Sequence, residues 1–465
     1  MNEENLIPLI QLVRHDTRSL QFLSSRGYVV IARRKSSGKN RTVPLRSLLL
    51  NNPQFFRGTS DYEYLVTPDT ASAVYEAFPL QSVGVLEKVD DNAPAAPHSD
   101  SKPPNFGQEY QDIVKLDPIQ RINLISEHAA RLEALTRNPA ADSETVNREL
   151  TQSTIQAAMI NKATIQEALR MGNAEAQRHS ASLVAATENL MRGTEMLLDS
   201  NLYKEDLIQR MVQRSNGTVV QHMTRVFLMG FSFLLYYNHQ YSNTSLAGRI
   251  RARFSEHYRP YYRKLLPHIN KEDITLERVF WGGMRPLTLE EIRKFAMGYL
   301  IHDIGKVEDI EYHEGEAGFD REKVVRHVKL GYKAVMEKTV YPREAALITG
   351  YHHEYYGAPS GYGYFRELLE RYKQMNPEAT INHLMSYEME PLIDYQVLAY
   401  FPAKMLEVVD VFDSLTDKNR LYRKALSERD TVQVLRLDFL EKKVKVDPII
   451  LDLFEQFLTE RGILN

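Results

Sequence analysis

Residues 296–306 read Ala296-Met-Gly-Tyr-Leu-Ile-His302-Asp303-Ile-Gly-Lys306. An apolar helical run ends in an imidazole beside a carboxylate. That pair offers one nitrogen and one oxygen ligand from a single turn. Imidazole suits iron, manganese or zinc, and a carboxylate can bridge two cations. Lys306 follows Asp303 by three residues and His302 by four. Helical spacing puts its ammonium on the same face, where it could hold a phosphate or help protonate a leaving oxygen. The run begins at Leu287-Thr-Leu-Glu-Glu-Ile, with Thr288 and Glu291 at the spacing of a capping box.

Outward from this stretch lies an ordered series of histidines and acids. His222 sits in Gln221-His-Met-Thr-Arg-Val, on a long apolar helix read from Val219 to Tyr237. His327 lies in Arg326-His-Val-Lys-Leu-Gly, on a polar helix. Tyr351-His352-His353-Glu354 holds two adjacent histidines. Such a pair rarely serves core packing, because both rings would need desolvation and partners. If a helix ends there, both can face one site. Asp410 stands in Glu407-Val-Val-Asp-Val-Phe-Asp-Ser-Leu-Thr416, a carboxylate on an otherwise apolar helix. A metal would relieve the cost of burying it. The alternative is that Asp410 or Asp413 caps a helix or pairs with an arginine.

His302-Asp-Ile-Gly-Lys306 resembles the HD superfamily of phosphohydrolases. His352-His-Glu-Tyr-Tyr-Gly-Ala-Pro-Ser-Gly-Tyr-Gly363, Val409-Asp-Val-Phe-Asp-Ser-Leu-Thr416 and Arg420-Leu-Tyr-Arg-Lys-Ala425 look specifically like its HD-GYP subgroup. The likeness covers roughly residues 201–425. It implies an all-helical domain holding divalent metals, usually iron or manganese. The implied reaction is hydrolysis of cyclic di-GMP to linear pGpG or GMP by a metal-bridging hydroxide. The implied ligands are His222, His302, Asp303, His327, His352, His353 and Asp410, with Asp303 and Lys306 catalytic. Lys306, Gly361, Tyr362, Arg420, Tyr422, Arg423 and Lys424 match regions that hold substrate.

Three departures from that family modify the expectation. Its Asp-Gly-x-Gly-Tyr-Pro loop is here Ala358-Pro-Ser-Gly-Tyr-Gly363. Glycine frees the φ that proline fixes, so a more mobile loop is expected. Thr218 replaces a glutamate that supports a third metal in some members, so two metals are expected. About 80 residues separate His222 from His302, more than the family's spacing. The excess, about residues 240–284, carries Tyr258-Arg-Pro-Tyr-Tyr-Arg-Lys and Trp281. A second insertion spans about residues 364–393. These read either as lids that stack on a guanine or as extra helices packed on the surface.

The rest of the chain sets the context. Its 465 residues suggest about three domains. Lys and Arg number 58 against 61 Asp and Glu, so no basic surplus points to DNA or RNA. The absence of cysteine excludes disulfides, thiolate zinc sites, iron–sulfur clusters and cysteine nucleophiles. The acidic start Met1-Asn-Glu-Glu-Asn-Leu is unlike a signal peptide. The most apolar run, Val226 to Tyr237, is too short for a membrane span. A cytoplasmic protein is expected.

The fold expected is mainly α. A small α/β regulatory domain occupies residues 1–90, with strands at Tyr28–Ala32 and Arg41–Arg46 and another at Ser82–Leu86. The basic hairpin with Arg33, Arg34, Lys35, Lys39, Arg41 and Arg46 reads as an anion surface or a solvated edge. Residues 91–107, with Pro94, Pro97, Pro103 and Pro104, form a linker. Residues 108–200 read as a helical linker or bundle, and 201–465 as the metal-dependent domain. Implied partners are cyclic di-GMP, regulatory proteins and a second copy of the chain. Two other functions stay open: a module that binds cyclic di-GMP or a protein without turnover, and an HD-type hydrolase of another nucleotide.

Overall fold

The structure is a computed structural model. It describes residues 6–9, 28–35, 39–45, 62–77, 106–138, 141–199, 219–306, 321–357, 361–378, 380–417 and 425–464, with a few isolated positions besides. The chain divides into two compact units, Met1–Asp100 and Ser101–Asn465. The described fold is mainly helical with small sheets, as expected.

The first unit holds β1 (Ile7–Pro8), β2 (Val29–Arg34), β3 (Asn40–Pro44), β4 (Tyr62–Val66) and helix α1 (Pro68–Ala77). The strands form one antiparallel sheet in the order β1-β4-β2-β3. Alternate residues Val30 and Ala32 are buried, as one covered face requires. They pack with Leu9, Tyr64, Val66, Ala71 and Val74. The expected hairpin is present. Arg33 faces Asn40 and Glu63 across the sheet, and Arg41 lies over the Tyr62 ring, so these cations serve cross-strand pairing. The strand expected at Ser82–Leu86 falls outside the described residues.

The second unit begins with α2 (Phe106–Lys115), α3 (Pro118–Thr136), α4 (Ser143–Ala168) and α5 (Asn173–Asp199). Asp117 caps α3 in a capping box with Gln120, with Pro118 in the first turn. Asp142, rather than Ser143, caps α4. These helices do not stand apart as a spacer; they share one compact unit with everything downstream. The physical reason is polar as well as apolar. Tyr341 donates to Asn161 and to Thr187 Oγ1, all three buried. Val340 N donates to Ser180 Oγ at 3.1 Å, and Arg293 pairs with Glu195 at 3.0 Å.

Next comes α6 (Val219–Asn243), the central helix, longer than the apolar run within it. Its length and composition pass for a membrane span, as those of a core helix can, and 89% of its most apolar window is buried inside the protein. α7 (Leu246–Arg253), a π turn at Phe254–Tyr258, α8 (Arg259–Leu265) and α9 (Leu276–Val279) make up the segment read above as the first insertion. Then follow α10 (Leu289–Leu300), capped by the Thr288–Glu291 box, α11 (Arg321–Lys338) and α12 (Arg343–Tyr351). α13 (Tyr364–Met375), β5 (His383–Ser386) and α14 (Glu390–Ile393) form the second insertion. β6 (Val397–Tyr400), α15 (Phe401–Thr416), α16 (Glu428–Val434), a π turn at Leu435–Glu441 and α17 (Pro448–Glu460) complete the chain.

The two insertions meet. β5 pairs in parallel with β6, and Phe280 bridges Met385 on the other side. Trp281 N donates to Met385 O at 2.8 Å, and its ring meets His383 edge-on. Tyr258 and Tyr262 are 3% and 0% exposed. Their hydroxyls go to Asp452 and to Asp447, the cap of α17. These two tyrosines are therefore part of the core and are not available to stack on a substrate.

Candidate metal centre

α10 ends at Leu300, and the turn that follows carries His302 and Asp303 inward. The helical spacing expected for Lys306 is not realised, because residues 301–305 form turns beyond the helix end. Gly305 lets this turn touch α11. A Cβ there would lie 1.9 Å from the His327 carbonyl oxygen and 2.5 Å from Gly331 N. α11 thereby brings His327 against Asp303, Nε2 to Oδ1 at 3.1 Å. α12 ends at Tyr351, which leaves His352 and His353 free to face the same centre. α6 supplies His222 and α15 supplies Asp410.

All seven expected ligands are buried and fall into two groups. One holds Asp303, His327, His352 and His353; the other holds His222, His302 and Asp410. Within each, the ligand atoms lie within 4.8 Å of one another. Asp303 faces both. Its Oδ1 lies 3.1 Å from His327 Nε2 and 3.8 Å from His352 Nε2. Its Oδ2 lies 3.4 Å from His222 Nε2 and 3.7 Å from His302 Nε2. Asp410 reaches His222 Nε2 at 2.9 Å and His353 Nε2 at 3.6 Å.

Several rings are held from behind, as ligating histidines usually are. His302 Nδ1 meets Tyr299 O at 2.9 Å, and His352 Nδ1 meets Thr349 O at 2.9 Å. Donation to those carbonyls leaves each Nε2 with a lone pair toward the centre. His222 Nδ1 meets Asp413 Oδ2 at 2.7 Å. Asp413 also takes Arg225 Nε at 2.7 Å and Nη2 at 2.9 Å, and Arg225 reaches Asp417. So Asp413 does pair with an arginine, while Asp410 joins the centre. Arg225 neutralises a carboxylate that would otherwise be free to take a cation.

The electrostatics suit cation binding. Burial holds His302 down at about 4 and pushes His353 and His327 below the usual imidazole range. Neutral imidazoles keep their lone pairs. Burial pushes Asp303 up, but Lys306 and the facing imidazoles outweigh it and hold it well below the usual carboxylate range. Asp410 behaves alike, with burial outweighed by His222 and His353. His222 is raised: burial opposes the proton, and Asp410 and Asp413 overcome that. His302 Nε2 and Asp303 Oδ1 are buried without a hydrogen-bond partner. Orphaned buried donors and acceptors are costly, and a cation in each group would satisfy one of them, His302 Nε2 in one group and Asp303 Oδ1 in the other. The donor set, five imidazoles and two carboxylates, could hold a metal ion.

Around the centre, Lys306 Nζ contacts Asp303 Oδ2, with 17% of its side chain exposed. Its nearest anion in the structure is thus the carboxylate. Tyr362 lies on His353, ring centroids 4.4 Å apart, and edge-on to His327. Gly361 O accepts from Arg366 Nη1 at 2.9 Å. Gly363 has φ −62°, open to any residue, but a Cβ would lie 2.3 Å from the Glu354 carboxyl. The absence of a side chain, rather than conformational freedom, is what glycine supplies there. Residues 358–360 of the loop and Arg420, Tyr422, Arg423 and Lys424 fall outside the described residues.

The residues behind the ligands were the hardest to foresee. Arg225 stands three residues after His222, one turn on, and that spacing was a readable signal. Gly305 and Gly331 carried no such signal, because their role is a contact between separate elements. No protein-family model, curated protein or solved structure matches the chain.

Proposed function

We propose that this chain is a metal-dependent phosphodiesterase that hydrolyses cyclic di-GMP to linear pGpG, GMP or both, in the cytoplasm. The observation that carries the reading is Asp303, which turns one carboxylate oxygen to each of two buried His/Asp groups. Two divalent ions, iron or manganese, are the cofactors this arrangement suits. Held there, they supply Lewis acidity toward a phosphodiester and lower the pKa of the attacking water.

The chain's own groups do the rest. His222, His302 and Asp410 would hold one ion, and His327, His352 and His353 with Asp303 the other, Asp303 also facing the first group. Lys306, partly exposed beside Asp303, offers its ammonium to a non-bridging phosphate oxygen or to the departing ribose oxygen. The Tyr362 ring, half-buried on His353 and edge-on to His327, offers an aromatic face for a base. Water adds to phosphorus, the P–O bond to ribose breaks, and the ribose oxygen leaves with a proton. No side chain needs to become a covalent intermediate.

The test is incubation of anaerobically purified protein, supplied with Fe²⁺ or Mn²⁺, with cyclic di-GMP, followed by chromatographic separation of the nucleotides. pGpG or GMP is expected, lost on chelation and lost in Asp303→Ala with the fold retained. Unchanged turnover in Asp303→Ala would sink the metal mechanism. Absence of turnover in protein with both ions bound would transfer the reading to a sensor or to another phosphate substrate.

A further inference from the structure

α15 carries Lys404, Glu407, Asp410 and Asp413 at three-residue intervals on an otherwise apolar helix, each 4% exposed or less. Asp410 and Asp413 belong to the metal centre and its support. Lys404 and Glu407 do not, and a fully buried ion pair is expensive to keep. Their contacts lead to one place. Lys404 Nζ donates to Glu407 Oε1 at 2.6 Å and to Lys445 O at 2.7 Å, and lies 3.9 Å from the Tyr356 ring centroid. Glu407 Oε2 accepts from Tyr355 N at 3.3 Å. The Tyr356 hydroxyl donates to Asp447 Oδ2 at 2.8 Å.

Tyr355 and Tyr356 have φ of 46° and 50°, left-handed conformations that residues with a Cβ avoid. Such a turn persists only where its surroundings impose it. It begins two residues after His353, with Glu354 between. His353 differs from His222, His302 and His352, each held through Nδ1. Its own Nδ1 is buried with no hydrogen-bond partner. Around this ring stand the His352 ring at 4.1 Å, the Tyr362 ring at 4.4 Å, the His327 ring at 5.4 Å and the Tyr355 ring at 6.2 Å, and its main chain is held by Tyr362 N on His353 O at 2.9 Å and by the left-handed turn after it.

We infer that Lys404, acting through Glu407 and the Tyr356 ring, is a positioning residue that imposes the left-handed turn and so sets His353 in its metal group. This rests on the metal reading above. Lys404 touches none of the candidate ligands, so it acts only through the turn.

The experiment loads the full chain with Mn²⁺, desalts it, counts manganese per chain and records its electron paramagnetic resonance spectrum. Wild type is expected to hold two ions with the multiline spectrum of a coupled pair. Lys404→Met is expected to hold one, with the six-line spectrum of an isolated ion and an unchanged far-ultraviolet dichroism. Lys404→Met/Glu407→Gln leaves no unpaired buried charge, so it carries the test if the single variant does not fold; it too should lose one ion. Leu150→Ala, a cavity in α4, which carries no candidate ligand, should keep both. Two coupled ions in the lysine variants would overturn the inference. So would loss of both ions from a folded variant, or loss of an ion in Leu150→Ala. Fewer than two ions in wild type would instead overturn the reading of the centre itself.

Discussion

Gly305→Ala isolates the contact that assembles the centre. The added Cβ would stand 1.9 Å from His327 O, 2.8 Å from His327 C and 2.5 Å from Gly331 N. All three are main-chain atoms and cannot rotate aside. Carbon and oxygen do not approach within about 3 Å without strong repulsion, so the 302–306 turn and α11 must part by roughly 1 Å. Overpacking of this kind costs about 1–3 kcal/mol or more, and a main-chain clash belongs at the upper end. The same displacement falls on the 3.1 Å approach of His327 Nε2 to Asp303 Oδ1. A misplacement of about 1 Å in a reacting constellation can cost about 10²-fold in rate. The assay is the urea midpoint, the Mn²⁺ content after desalting and the hydrolysis of cyclic di-GMP, side by side. Gly172→Ala is the control, since a Cβ there meets nothing within 4 Å. The variant at 305 should lose stability and metal, and the control neither. A Gly305→Ala protein with the wild-type midpoint and full metal content would refute the packing argument.

Two further outcomes concern the helices of residues 118–199. Tyr341→Phe removes a hydroxyl that Asn161 and Thr187 both meet in a buried setting; the stranded amide oxygen should cost about 1–3 kcal/mol in denaturant unfolding, and a loss below about 0.5 kcal/mol would contradict the role given to that node. His128 is held down at about 4, by burial first and Arg131 second. Between about 4 and 6.5 the unfolded chain takes up a proton that the folded chain refuses, so stability rises with pH in that window. The advantage of wild type over His128→Gln, full above pH 6.5, should therefore shrink as pH falls from 7 to 5 in paired urea titrations. A constant difference would mean that the ring is not kept neutral.

Local signals in the sequence carried far. The caps at Asp117, Asp142 and Thr288 follow from hydroxyl and carboxylate side chains placed one turn before a partner. The seven candidate ligand residues were legible because histidine pairs and an acid on an apolar helix have few structural uses. What stayed hidden depends on contacts between distant segments. Phe280 and Met385 share a β-bridge across about a hundred residues, and neither β5 nor β6 is long enough to announce itself by alternation. Lys306 was expected on a helix face and lies on a turn beside Asp303, because helix ends are set by capping geometry that periodicity does not encode. The buried pair Lys404–Glu407 was visible as a three-residue rhythm, but its partner turn at 355–356 was not.

The β-bridge between the insertions has a consequence for anyone trimming this protein. One insertion interrupts the chain between His222 and His302, the other between Tyr362 and Asp410. Each closes an edge of the other: Trp281 N and Met385 O satisfy one another, and β5 is sandwiched between Phe280 and β6. Excising residues 246–284 alone would expose a raw strand margin on β5, the kind of surface that recruits other chains into aggregates. Excising 364–393 alone would strip the cover from Phe280 and Trp281. A minimal version of this protein must lose both segments or keep both.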